Sequence, residues 1–170
     1  YNPMMYFDTS GGFNQAKDIV ISGNNSEYYT HEIAHLYMFQ LFPSINPFFN
    51  EGFATYVCGS GKYGYLWQRN KLKKFLEENP NFQIEEHVGD PFERLYFEHE
   101  TPVPYVIAAL VCERTLRLYG KEKLFYLFRS KKNVFDTLKA VGLTKENIND
   151  ELRKEIKLPP TSAIIQAGYT

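Results

Sequence analysis

The chain has 170 residues, in which 19 lysines and arginines face 20 aspartates and glutamates. That length suits one domain with a core of its own, and the near-neutral charge excludes an electrostatic case for nucleic acid or an anionic membrane surface. A hydrophobic share of 44% excludes a disordered composition, and the aromatic share of 16% reads as an aromatic-rich core rather than a stacking platform for bases.

Cys58 and Cys112 both fall inside apolar helical patterns and read as buried free thiols. Neither has a Cys-x-x-Cys neighbour, so they point to no second metal site. No apolar run reaches the length of a bilayer span, and no signal peptide is visible. The first residue is Tyr1, which fits a mature form or a piece of a longer chain with other domains. The compartment is left open.

Residues 1–17 are turn-rich, with Met4, Tyr6 and Phe7 as a short strand at most. Asp18 to Ser22 is a clearer strand, built on three β-branched apolar residues and closed by Gly23-Asn24-Asn25. A helix follows, capped by Asn25 or Ser26 and running to Leu41 or Phe42 before Pro43. Ile33, Leu36, Tyr37 and Leu41 clothe most of its faces, which predicts a buried helix. Pro43 to Asn46 makes a turn. Asn46-Pro47 reads as an N-cap with proline at the first helical position, opening a second helix that ends near Gly59. Tyr65 to Asn79 is a third helix, stopped by Pro80, with Leu66, Leu72, Phe75 and Leu76 set against a Lys/Arg/Glu face. Between 80 and 102, Phe82 to Ile84 and Leu95 to Phe97 are short strands or an ordered loop. A helix from Val103 to Tyr119 closes at Gly120. Three more helical patterns cover Lys121 to Ser130, Val134 to Val141 and Thr144 to Lys157, ahead of a loosely held tail.

The chemistry centres on His31-Glu32-Ile33-Ala34-His35. Residues four apart share a helix face, so one metal ion can take a nitrogen from each histidine. A catalytic zinc takes three protein ligands and keeps one position open for water. Glu51 is the candidate third ligand, with Glu32 left as general base and acid. From His35 the first helix climbs about 9 Å to Leu41, and from Pro47 the second descends about 6 Å to Glu51. Antiparallel packing therefore returns Glu51 to the level of the histidines. Such an ion lowers the pKa of bound water from about 15.7 to about 7 and polarises a carbonyl. The metzincin extension requires glycine and histidine where this chain has Met38 and Leu41, which excludes that class. His87 and His99 read as polar surface residues, with His99 as the reserve ligand. Asn50 and Thr55 are candidates for orienting the ligands.

His31 to His35, together with Asn50-Glu51-Gly52-Phe53-Ala54-Thr55-Tyr56, resembles the gluzincin metallopeptidases, above all the peptidase MA-like domains and the aminopeptidase N branch. The likeness spans about residues 11–157 and is strongest at the two motif helices. It implies a zincin-like α+β fold, mostly α, with a small N-terminal sheet ahead of a helical remainder in a single domain over 1–170. It implies zinc as cofactor, held by His31, His35 and Glu51, a peptide or protein substrate, and no nucleic acid. Val103-Pro104-Tyr105 looks like the family segment whose tyrosine stabilises the oxyanion, which gives Tyr105 that role by resemblance. Asp18 to Ser22 looks like the family's edge strand, which pairs with the substrate backbone. The spacer from His35 to Glu51 is shorter than in the aminopeptidase branch. Gly11-Gly12-Phe13-Asn14 is a faint echo of the exopeptidase motif and lacks its glutamate. The expected activity is thus a zinc metallopeptidase with endo- or exopeptidase action open. The rivals are a zincin-fold binding or regulatory module and a metal hydrolase acting on other bonds.

Overall fold

In a computed structural model of the chain, the described residues are 11–14, 16–17, 19–22, 30–60, 63–90, 95–97 and 102–161. The strand expected at Met4, Tyr6 and Phe7, the cap expected at Asn25 or Ser26, and His99 lie outside them. The described fold is mostly helical, as expected.

Two strands, β1 (Gly11–Asn14) and β2 (Ile19–Ser22), pair antiparallel in the register Gly11↔Ser22 to Asn14↔Ile19. The strand expected up to Ser22 is present. β1 corrects the turn-rich reading of residues 1–17. Glycines weaken a strand without forbidding it, and here the ladder to β2 outweighs their propensity.

The ligand helix α1 (Thr30–Leu41) packs against α2 (Pro47–Cys58) and against both strands. It is not the buried helix that its composition suggests. Only His35 and Met38 are buried, whereas Tyr37 is 61% and Leu41 69% exposed. Its two packed sides use up the available neighbours, and Tyr37 and Leu41, one turn apart, are left in solvent.

The second helix starts as its sequence predicts. Asn46 Oδ1 accepts from the Phe48 amide at 2.9 Å, Pro47 opens the first turn, and Gly59 follows the last residue. Phe48, Phe49 and Tyr56 bury one face of α2. Gly52 permits its close approach to α4 (Val103–Arg129), for a Cβ there would lie 2.6 Å from the Ala108 Cβ. α4 is the central element, and every residue from Val106 to Val111 is fully buried. It breaks at Gly120, where φ is 74° and ψ is 179°, which is where the first of the two predicted helices was to close.

α3 (Tyr65–Glu78) follows the predicted span, and Leu72, Phe75 and Leu76 of the predicted face pack on the core, but Leu66 does not. Leu66 is 39% exposed, while Gln68 and Arg69 point inward. The reason is a buried acid. Glu113 of α4 accepts from Tyr65 Oη at 2.6 Å and from Arg69 Nε at 2.8 Å. The Arg69 guanidinium also donates to the carbonyls of Glu155, Ile156 and Leu158, and the Thr161 amide donates to Glu113 at 3.0 Å. The segment after α6 (Ile148–Glu155) is therefore tied by its backbone to α3 and α4. Residues 84–87 form a 3-10 turn, and Tyr96 makes an isolated bridge with Pro102, so among the described residues of the open stretch from 80 to 102 neither Phe82 to Ile84 nor Leu95 to Phe97 is a regular strand. α5 (Val134–Leu138) and a 3-10 turn cover the expected 134–141 helix. Cys112 is buried and free as expected, and Cys58 is free but partly exposed. Among the described residues no helix is long and apolar enough to cross a membrane.

Candidate metal centre

α1 and α2 bring His31, His35 and Glu51 to one point. Glu51 Oε2 lies 3.1 Å from His31 Nε2 and 3.3 Å from His35 Nε2. The short turn after α1 and the Asn46 cap are what return Glu51 to this level. A donor atom from each of His31, Glu32 and His35 can be chosen so that all lie within 4.8 Å of one another, the one such cluster of metal-ligating groups among the described residues. The two imidazoles are 4.7 Å apart and nearly perpendicular, so their nitrogens converge on a point rather than stack. His87 is elsewhere, stacked on Phe82 with ring centres 4.5 Å apart.

The separations suit zinc. Four ligands at about 2.0–2.1 Å in a tetrahedron stand about 3.3 Å from one another, close to the two nitrogen–oxygen distances here. Two imidazoles and a carboxylate are also the donor set of a known class of catalytic zinc sites.

A second observation bears on the same point. His31 Nδ1 is 2.6 Å from the Gly59 carbonyl oxygen. A carbonyl can only accept, so Nδ1 carries the hydrogen. In the neutral ring Nε2 is then a lone pair facing a carboxylate oxygen. Two acceptors 3.1 Å apart need a cation between them or a proton on the ring.

The electrostatics follow from this crowding. Burial works to raise the Glu51 pKa, but hydrogen bonds from His31 and His35, reinforced by their charge, outweigh it and hold the carboxyl at about 2. Burial likewise works against a charged His35, yet the Glu51 carboxylate, with help from Asn50 and Glu32, leaves its pKa above the usual histidine value. Asn50 is 4% exposed and adjoins His35. Its Oδ1 and His35 Nδ1 are both buried and, among the described residues, meet no other side chain in hydrogen-bonding geometry. The Thr55 hydroxyl is buried and has no hydrogen-bond partner among the described residues, the two histidines included.

Tyr105, in the first turn of α4, lies beside His31, their rings parallel with centres 6.1 Å apart. Burial foremost, then the charge and hydrogen bonding of Glu51, raise its pKa well above that of free tyrosine. It is a proton donor at any physiological pH. The structure thus gathers His31, Glu32, His35, Glu51 and Tyr105. It adds the Gly59 carbonyl, which the residue pattern did not single out. The glycine was legible as a helix end, but a backbone acceptor leaves no mark in sequence.

No protein-family model, curated protein or solved structure was found to match the chain.

Proposed function

We propose that the chain is a zinc-dependent peptidase with a zincin-like fold, in which His31, His35 and Glu51 hold the ion. What supports this most is the facing of His31 Nε2 and Glu51 Oε2 at 3.1 Å with the other ring nitrogen occupied by Gly59. Such a pair of acceptors is ready-made for a cation. Zinc bound there supplies an acidified water and polarises the carbonyl to be cleaved.

The chain's own residues do the rest. Glu32 takes the proton of the attacking water and returns it to the leaving amine. Tyr105, kept protonated by burial beside Glu51, donates to the oxygen that gains charge as the carbonyl is attacked. The two histidines lower the Glu51 carboxyl, so it is ionised and able to act as a ligand at neutral pH. The substrate is a peptide or protein.

The test is elemental analysis for zinc, combined with hydrolysis of a mixed peptide pool by wild type and Glu32→Gln. The expected result is about one zinc per chain in both proteins and cleavage by wild type alone. A wild type without zinc overturns the site. Cleavage by Glu32→Gln at the wild-type rate overturns the base. Zinc without cleavage supports a binding or regulatory module instead, and cleavage of other bonds in a broader screen supports a different metal hydrolase.

A further inference from the structure

The two histidines are not held alike. His35 lies against the Asn50 side chain, whereas His31 Nδ1 meets the Gly59 backbone carbonyl at 2.6 Å. That carbonyl is itself supported. Gly59 has φ 77° and ψ −166°, a conformation that L side chains rarely adopt. A Cβ there would lie 2.2 Å from the Tyr63 carbonyl oxygen, so no other residue fits without moving the loop.

The loop is tied in turn. Ser60 and Tyr63 exchange backbone hydrogen bonds at 3.1 and 3.4 Å. From α3, Gln68 Nε2 donates to the Ser60 carbonyl at 2.9 Å. Gln68 is fully buried, and its own Oε1 has no partner among the described residues. Among the described residues, the one hydrogen bond of its side chain is therefore the one that pins the peptide next to Gly59.

We propose that Gly59 and Gln68 are positioning residues for His31. Gln68 fixes the Ser60–Tyr63 bridge, and the bridge aims the Gly59 carbonyl. The carbonyl holds His31 as the Nδ1–H tautomer with its Nε2 lone pair toward Glu51. The effect on metal affinity rests on the zinc site proposed above, while the effect on the tautomer does not.

The experiment has two readouts. Long-range proton–nitrogen spectra of metal-free protein, taken where the rings are neutral, report the His31 tautomer. Zinc dissociation constants are then compared for wild type, Gly59→Ala and Gln68→Met. Circular dichroism monitors folding, and Gln68→Met serves if Gly59→Ala does not fold. Wild type is expected to show His31 with hydrogen on Nδ1. Gln68→Met is expected to mix the tautomers and weaken zinc binding by roughly 10- to 100-fold, the usual effect of removing a group that orients a ligand. A lost packing contact alone would lower the melting temperature and leave the tautomer unchanged. His31 carrying hydrogen on Nε2 in wild type overturns the proposal, whatever the variants do. A folded Gln68→Met with unaltered tautomer and zinc affinity also overturns it. Wild type with Nδ1–H that binds no zinc overturns the zinc site and supports the hold of Gly59 on the ring.

Discussion

Gly52 and Ala108 stand backbone to backbone: a Cβ on the glycine would lie 2.6 Å from the Ala108 Cβ and 2.8 Å from its carbonyl oxygen. Gly52 immediately follows Glu51, so the contact that seats α2 on α4 is one residue from the candidate third ligand. Gly52→Ala is expected to cost about 1–3 kcal/mol, the usual range for overpacking, even though alanine is the better helix former. It should also move Glu51 away from the histidines. Urea unfolding gives the first quantity and zinc affinity the second. Wild-type stability together with wild-type affinity would sink the argument.

The Tyr105 hydroxyl is argued to act only once charge has built up on the substrate oxygen. Tyr105→Phe should therefore lower kcat about a hundredfold while KM and zinc content stay near wild type. A rise in KM with kcat unchanged would mark Tyr105 as a binding group instead.

Acid should weaken the metal-free protein through Glu51. Its carboxyl is lowered from 4.5 to about 2 in the folded chain. A lowered pKa adds stability that is complete above the unfolded value and is lost as pH falls toward the folded one. The window is therefore pH 4.5 down to about 2, and the loss is about 3 kcal/mol for a shift of this size. His35 has the opposite sign. Its raised pKa adds stability below 6.5 that disappears as pH climbs through the raised value. Urea titrations of chelated wild type and Glu51→Gln across this range provide the check. Equal acid slopes in the two proteins would refute the assignment to Glu51.

Arg69 and Glu113 form a buried ion pair at 2.8 Å that also grips the backbone after α6. Removing one partner leaves a buried charge unmatched. Glu113→Ala should cost about 3–5 kcal/mol. Pairing it with Arg69→Met should cost less than the two single changes added together. Additive costs in that cycle would mean that the two residues do not depend on each other.

The parts of the site that were legible in sequence are local. His31 and His35 share a face because helices repeat every 3.6 residues, and Asn46-Pro47 writes a helix start in two letters. The antiparallel return of Glu51 followed from those two features and one short turn. What stayed hidden depends on distant partners. Arg69 looked like part of a charged solvent face on α3 because Glu113, its counter-ion, sits 44 positions on within an apolar run. Tyr37 and Leu41 looked like core because composition does not reveal where neighbours run out. β1 was hidden by glycines that its partner strand tolerates.

α2 carries the candidate ligand Glu51 in its second turn, and its cap residue Gly59 meets His31. The two groups are therefore fixed in helical phase, about 100° and 1.5 Å per residue. One residue added or removed between them would swing carboxylate and carbonyl out of step by more than a quarter turn. The same change in the turn from Pro43 to Ile45 would alter no phase within either helix. A length change between His35 and Glu51 is thus better borne in that turn than between Glu51 and Gly59.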